Sequence, residues 1–180
     1  SVCEMVSAYT AFANRGIRCA PLFVTKIEDN EGNVIATFQP RMNEVISETS
    51  ANKMLVELQA VVNEGTARRL RFKYNLKGEI GGKTGTTNKN SDGWFMGFTP
   101  QLVNGCWVGG EDRDIHFDSM SMGQGATMAL PIWAYFMQKV FADPRLGYTQ
   151  KATFDLPEGF DPCARDDGGM NEYGIDEVYE

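Results

Sequence analysis

Apolar residues recur at helical spacing in three segments of the chain. The first spans about residues 2 to 15, and Ser1 with Glu4 has the spacing of a capping box at its start. The second follows Ser47, a residue type that is favoured at helix N-caps. Its apolar stripe comprises Met54, Leu55, Leu58, Val61 and Val62. Both segments are therefore predicted to be amphipathic helices.

The third helical segment begins near Pro131, which fits the first turn of a helix because no backbone N–H donor is needed there. Its apolar residues share one broad face: Ile132, Trp133, Phe136, Met137, Val140 and Phe141. A face this wide needs a large apolar partner. We therefore expect this helix to cover a sheet.

Runs rich in β-branched and aromatic residues occupy two regions. In the first, a turn-forming cluster at residues 29 to 32 separates two runs and predicts a β-hairpin. In the second, residues 79 to 110, three runs joined by turns predict a three-stranded antiparallel meander. Because strands cluster rather than alternate strictly with helices, the predicted fold class is α+β, with an antiparallel sheet packed against helices.

The length of the chain is sufficient for one ordinary domain, which we expect over residues 1 to 150. Residues 151 to 180 differ in composition, because from Ala152 onward nine acidic residues stand against Arg165 as the single base. This charge predicts an acidic tail that is peripheral or disordered. The chain also begins at Ser1 in a predicted helix, so we expect it to be a piece of a longer protein.

Charge and composition exclude several classes of function. The net charge of −7 repels phosphate backbones and argues against nucleic-acid binding. No segment reaches the roughly 20 consecutive apolar residues of a membrane span, so the chain is expected to be soluble. Cys3, Cys19, Cys106 and Cys163 lack CxxC spacing, and His116 is the only histidine, which argues against a zinc site. No metal or cofactor is expected, and the pairing of the cysteines stays open.

The segment GGKTGTT, residues 81 to 87, concentrates glycine, lysine and threonine. One interpretation is a P-loop, whose backbone amides surround phosphates. That motif would need a glycine where Lys77 stands. It would also need a long helix after Thr84, where turn-forming residues follow. The sequence therefore argues against a phosphate site.

A second interpretation is a glycine-rich hairpin with a structural role, in which Lys83 is merely solvated. Against it, Thr84 and Thr86 alternate with Gly85, so a strand would place both hydroxyls on one face beside a lysine. Such a strand edge offers a cation, hydroxyls and free backbone amides. These groups suit a carboxylate and a developing oxyanion.

The third interpretation rests on a resemblance. The KTG triplet resembles the KTG element of the penicillin-recognising acyltransferases. The stretches GGKTGTTNKNSDGWFMGFTPQLVNGCWVGG and GQGATMALPIWAYFM resemble the C-terminal half of the transpeptidase domain of class A penicillin-binding proteins. AYTAFANRG and LQAVVNEGTARRL are similar to the same family in the same order, so the resemblance covers about residues 4 to 140.

This resemblance implies acyl transfer, in which a serine attacks the D-Ala-D-Ala amide of a peptidoglycan stem peptide and the acyl group passes to an amine. β-Lactams acylate the same serine. At the matching positions, Lys83 would assist proton movement and attract the substrate carboxylate, which Thr84 and Thr86 would hydrogen-bond. The backbone N–H of Thr86 would form half of the oxyanion hole, and Gly85 would let the substrate backbone lie against the strand. Asp92 either orients the turn that follows or is only solvated.

The nucleophile of that reaction is not expected in this chain. Ser50 and Lys53 match SxxK, and the same letters satisfy SxN, but the apolar stripe predicts that Lys53 turns toward solvent. A first-turn role in the helix is the better interpretation of Ser50. In the family, both motifs precede the stretch that resembles residues 2 to 16. We therefore expect the chain alone to be inactive, without the N-terminal half of its domain.

The resemblance also implies a membrane-anchored parent protein at the outer face of the bacterial cytoplasmic membrane, in the periplasm where one exists. Its partners would be peptidoglycan stem peptides and β-lactams. Two alternatives stay open at this point. One is a β-lactam or peptidoglycan sensor module of the same fold, and the other is a nucleotide-dependent enzyme that uses Lys83 and Thr84 on phosphate.

Overall fold

The structure, a computed structural model, describes residues 1 to 164 of the 180-residue chain. Its helices are α1 (Val2–Ala13), α2 (Glu48–Asn63), α3 (Arg69–Phe72), α4 (Met120–Gly123) and α5 (Gly125–Ala142). Its strands are β1 (Ile17–Cys19), β2 (Lys26–Glu28), β3 (Val34–Thr37), β4 (Met42–Glu44), β5 (Gly81–Thr86), β6 (Asp92–Phe98) and β7 (Val103–Gly109). Short 3₁₀ turns occupy Asn88–Asn90 and Pro144–Leu146. The predicted α+β class is confirmed.

The capping box predicted at the start of α1 is confirmed. The Ser1 hydroxyl accepts from the Glu4 N–H at 3.3 Å, and the terminal ammonium of Ser1 donates to the Glu4 carboxylate at 2.6 Å. The helix ends at Ala13, two residues earlier than predicted. Arg15 and Gly16 adopt φ values of 50° and 92°, which lie outside the right-handed helical region.

Two small antiparallel sheets follow α1. The predicted hairpin is confirmed as β2 paired with β3, and its turn is held by Asp29, whose carboxylate accepts from the Glu31 and Asn33 N–H groups at 2.9 Å each. The pairing of β1 with β4 was not predicted, because the hairpin separates the two strands and no turn sequence joins them.

The N-cap predicted for α2 is confirmed, since the Ser47 hydroxyl accepts from the Ser50 N–H at 3.2 Å. The buried face of the helix is formed by Ala51, Asn52, Leu55, Leu58 and Val62. Met54 was predicted to belong to the apolar stripe and instead is 41% exposed. The face is centred on Leu55, which contacts α1 and the sheet, so tertiary packing selected one side of an ambiguous stripe.

The predicted meander is confirmed as an antiparallel sheet with the strand order β5-β6-β7. Its two faces are covered by different helices. Phe95 is fully buried and packs edge-to-face on Trp133 of α5, with ring centroids 5.2 Å apart. Phe98 points to the other face and packs on Tyr9 of α1, with centroids 6.4 Å apart. The sheet is therefore the centre of a three-layer arrangement.

The predicted start of α5 is wrong. The helix begins at Gly125, and Pro131 lies inside it. A proline at this position removes one intrahelical hydrogen bond, which ordinarily weakens a helix. Here the segment around Pro131 is held by burial, because Ala129, Leu130 and Trp133 are at most 1% exposed against the sheet. Of the predicted apolar face, Ile132 and Phe136 point outward and are 52% and 47% exposed.

The chain after α5 returns to the sheet. The Phe154 ring packs on Phe98 at 5.7 Å between centroids, and the Phe154 N–H donates to the Glu79 carboxylate at 2.7 Å. Asp155 pairs with Arg15 at 3.1 Å. Of the predicted acidic tail, residues 165 to 180 lie outside the described residues, and a domain boundary at residue 150 stays a prediction.

None of the helices formed by residues 1 to 164 is long and apolar enough to span a lipid bilayer. All four cysteines are free thiols.

Candidate active site

The segment GGKTGTT forms β5, an edge strand of the sheet, followed by a tight turn. β5 pairs only with β6 among the described strands, with Gly85 opposite Trp94 and Thr86 opposite Gly93. Its other side is an open edge. Lys83 therefore lies in the middle of a strand rather than at the start of a helix, which contradicts the P-loop alternative.

The backbone of β5 presents amides to this open edge. The Thr87 N–H donates to the Asp92 carbonyl oxygen at 3.1 Å, so Thr87 and Asp92 form a hydrogen-bonded pair at the end of the ladder. Hydrogen-bonded and non-hydrogen-bonded pairs alternate along an antiparallel ladder. The N–H groups of Thr84 and Thr86 therefore point away from β6. Either could donate to a ligand oxygen that approaches along the edge.

The Thr86 hydroxyl is oriented by helix α5. It accepts a hydrogen bond from the Gly125 N–H, the first amide of the helix, at 2.9 Å. A side chain on residue 125 could not be accommodated, because a Cβ there would lie 2.2 Å from the Gly85 carbonyl oxygen. Since the Thr86 oxygen accepts from the helix, its own proton is available to donate to a ligand.

The Thr84 hydroxyl lies on the same face of the strand as the Thr86 hydroxyl, as the alternation with Gly85 predicts. It shares a hydrogen bond of 2.7 Å with the hydroxyl of Thr66, which lies in the turn between α2 and α3. Thr66 did not figure among the predicted site residues. The sequence NEGTA carried no periodic or spacing signal that would place it against β5.

Lys83 is exposed and lies on the opposite face from the two threonines. Its Nζ reaches around the edge and donates to the Thr84 carbonyl oxygen at 2.9 Å. The ammonium thus sits at the open edge beside the outward-pointing amides, although Lys83 and Thr84 project to opposite sides of the sheet. The structure brings all four predicted residues, Lys83 to Thr86, to this edge.

Lys83 also lines a groove of about 270 Å³ between α1 and β5, which we call the Lys83 groove. Its other walls are Met5, Tyr9, Thr84, Gly85, Trp94 and Met96. Burial raises the pKa of the Tyr9 phenol, so this wall stays uncharged at neutral pH. Other cavities are as large, at about 290 and 300 Å³. The lysine and the threonine hydroxyls, rather than the volume, distinguish this site.

Asp92 holds the turn that follows β5. One carboxylate oxygen accepts from the Thr87 hydroxyl at 3.0 Å and the Ser91 hydroxyl at 3.3 Å. The other accepts from the Trp107 indole N–H of β7 at 2.9 Å. The Trp107 bond, helped by the two hydroxyls, lowers the pKa of Asp92, so the carboxylate stays ionised at pH values below the range in which an aspartate usually titrates. Of the two roles considered for Asp92, the structure shows the orienting one.

Ser50 and Lys53 lie at the other end of α2 from this edge. The Ser50 hydroxyl accepts from the Ser47 hydroxyl at 2.9 Å, and Lys53 donates to the Ala164 carbonyl oxygen at 3.0 Å. From Ser50 to the C-terminal end of α2, where Thr66 contacts β5, is about 20 Å at the helical rise of ~1.5 Å per residue. Ser50 therefore lies at the opposite end of α2 from the contact between Thr66 and Thr84. Lys53 is half-buried, whereas the apolar stripe predicted that its side chain would turn toward solvent.

Comparison with known proteins finds a matching family that covers the strands β1 to β7 and the helices α1 to α3. Residues 1 to 110 match the family described as the penicillin binding protein transpeptidase domain. The chain is 40% identical over 137 residues to penicillin-binding protein 1A of Aquifex aeolicus (strain VF5), which covers 76% of the chain and 18% of the relative. It is 36% identical over 165 residues to penicillin-binding protein 1A of Neisseria gonorrhoeae, which covers 87% of the chain and 19% of the relative.

The fold is found in solved structures as well. The chain superposes on the crystal structure of penicillin-binding protein 1A from Haemophilus influenzae with a TM-score of 0.74 and 25% identity. The match covers 86% of this chain and 28% of that one. The chain thus spans about a fifth of the length of the two curated relatives.

Proposed function

Because the chain belongs to the penicillin-binding protein transpeptidase family, we propose that it forms part of a serine-type D,D-transpeptidase that crosslinks peptidoglycan stem peptides. The observation that carries the proposal is the open edge of β5. There, the Lys83 ammonium, the Thr84 and Thr86 hydroxyls and two outward backbone N–H groups converge. A carboxylate next to a carbonyl group, as in a D-Ala-D-Ala terminus or a penicillin, has the matching acceptors.

In this reaction the hydroxyl oxygen of a serine attacks the carbonyl carbon of the penultimate D-Ala, and the oxygen of that carbonyl becomes an oxyanion. The Thr86 N–H would donate to this oxyanion, and the hydroxyls of Thr84 and Thr86 would hold the terminal carboxylate. The serine proton passes to the leaving amine as the C–N bond breaks and D-Ala departs. Lys83 would help to move that proton and would attract the carboxylate. An acceptor amine then attacks the acyl carbonyl carbon, the C–O bond to the serine breaks, and a proton of the amine passes to the serine oxygen.

The serine of this reaction would come from a second segment of the domain. The outer surface of α5 supports such a partner, because Ile132, Tyr135 and Phe136 are 52%, 57% and 47% exposed along one side of the helix. A contiguous apolar patch on a protein surface is a common feature of interaction sites. We propose the N-terminal half of the transpeptidase domain as the partner, in a membrane-anchored protein at the outer face of the bacterial cytoplasmic membrane.

Labelling with a fluorescent penicillin, followed by a denaturing gel, tests the proposed function. The 180-residue chain should remain unlabelled, because its one SxxK serine, Ser50, is exposed in the first turn of α2, about 20 Å along the helix from the end at which Thr66 contacts Thr84. The intact protein that carries the chain should be labelled covalently, and a Ser50→Ala variant of it should be labelled equally. An unlabelled intact protein would contradict the proposed activity, and a labelled 180-residue chain would contradict the assignment of the nucleophile to another segment.

A further inference from the structure

We propose that Thr66 is a specificity-determining residue of the β5 edge, where its hydroxyl acts together with that of Thr84 in binding the carboxylate of the acyl donor. The inference rests on the proposed function and adds a residue outside the KTG triplet. Its basis is the 2.7 Å contact between the Thr66 and Thr84 hydroxyls, on the face of β5 that also carries the Thr86 hydroxyl.

The position of Thr66 is fixed by its neighbours in the chain. Ala67 is fully buried in the core between α2 and α5. Arg69, two residues further, donates through its guanidinium to the Ala126 carbonyl oxygen at 2.9 Å. Gly125 directly precedes Ala126, and its N–H donates to the Thr86 hydroxyl. The turn that carries Thr66 and the helix start that orients Thr86 are therefore tied to each other.

The Thr66 side chain itself is exposed, in contrast to its buried neighbour. A hydroxyl that only stabilised the turn would be expected to bond within the turn. The Thr66 hydroxyl instead bonds to a different element, the strand that presents Thr84, at the open edge. It is thus placed to reach a molecule that binds there.

The protons of the two hydroxyls explain why they act as a pair. An ionised carboxylate only accepts hydrogen bonds, so a hydroxyl binds it only when its proton points toward it. One of the two protons is used in the bond between Thr66 and Thr84. The other is free to point outward, from Thr84 if Thr66 donates and from Thr66 if Thr84 donates. In both cases the pair offers one oriented proton to the ligand.

The experiment uses the intact protein that carries this chain and compares Thr66→Val, which removes the hydroxyl and keeps the branched shape, with Thr66→Ser, which retains the hydroxyl. The affinity of the reversible penicillin complex and the first-order rate constant of acylation are measured separately. We expect Thr66→Val to weaken the reversible complex roughly tenfold and to leave the rate constant within about twofold of wild type. Thr66→Ser should restore the affinity.

A methyl ester of the same penicillin separates carboxylate binding from a structural role. With the ester, Thr66→Val and wild type should bind equally, because the neutral ester lacks the charge that strengthens the hydrogen bond. Thr49→Val, at an exposed threonine in the first turn of α2, is the matched control and should have no effect on either ligand.

Equal weakening with acid and ester would show that Thr66 only supports the fold, and unchanged affinity with the acid would overturn the inference outright. If Thr66→Val lowers the unfolding midpoint, the pair Thr66→Ala and Thr66→Ser takes its place, with the same acid and ester comparison. Failure of the proposed function looks different, because wild-type protein would then not be acylated at all.

Discussion

Replacing Lys83 by alanine in the intact protein is expected to slow acylation by a penicillin on the order of 100- to 10,000-fold, the usual effect of losing a proton-transfer group. The Lys83 Nζ is the one cation that the structure places on the Thr84 carbonyl oxygen at the open edge, as far as residues 1 to 164 show. The change removes a proton carrier and the charge that attracts the ligand carboxylate. The measurement is the second-order rate constant of acylation.

Two further variants serve as controls for this result. Lys77→Ala removes an exposed lysine just before β5 and should leave acylation unchanged. Lys83→Arg keeps the positive charge, but a guanidinium does not give up its proton in proteins. If Lys83 moves protons, Lys83→Arg will be nearly as slow as Lys83→Ala. Near-normal acylation in Lys83→Ala would contradict the role assigned to this residue.

Trp133→Ala is expected to lower the free energy of unfolding of the 180-residue chain by about 3 to 5 kcal/mol, the usual cost of removing a large buried aromatic ring. Trp133 is 1% exposed and packs edge-to-face on Phe95 between α5 and the sheet. Gly97 shows how close this packing is, because a Cβ there would lie 2.6 Å from the Trp133 ring. Urea unfolding should show a lower midpoint with an unchanged slope.

The matched control lies next to it on the same helix. Ile132 is 52% exposed, so Ile132→Ala should change the free energy of unfolding by no more than about 0.5 kcal/mol. Trp133→Phe should be milder than Trp133→Ala, since the Trp133 indole N–H is buried without a hydrogen-bond partner among the described residues. Equal effects of the alanine substitutions at positions 132 and 133 would show that α5 does not pack as described.

Elements with local signals were predicted well from the sequence. The caps at Ser1 and Ser47 and the turn around Asp29 act within a few residues, and each was found where the residues indicated. The three strands of the meander were also found, because their apolar runs are separated by turn residues. Such features depend on residues that are close in sequence, so they can be predicted from the sequence alone.

Features decided by distant contacts were not predicted. α5 begins six residues before the expected Pro131, because Gly125 can approach the backbone of β5 and β6, which no local pattern reveals. The pairing of β1 with β4 depends on strands on either side of a hairpin. Whether an apolar residue is buried also depends on the elements that pack against it rather than on its residue type, as the exposed Met54 and the buried Leu55 show.

The candidate site shows the same division. Alternation along a strand was enough to place the Thr84 and Thr86 hydroxyls on one face. The bonds of these hydroxyls to Thr66 and Gly125 were not predictable, because both partners come from other elements that only the fold brings to β5. Sequence therefore identified the strand of the site, and the structure supplied what orients its hydroxyls.

The most direct test of the account is a crystal structure of the intact protein acylated by a penicillin. We expect the ester carbonyl oxygen within about 3 Å of the Thr86 backbone nitrogen and the penicillin carboxylate against the Thr84 and Thr86 hydroxyls. A penicillin bound through its serine but turned away from β5, with neither threonine in contact, would contradict the account.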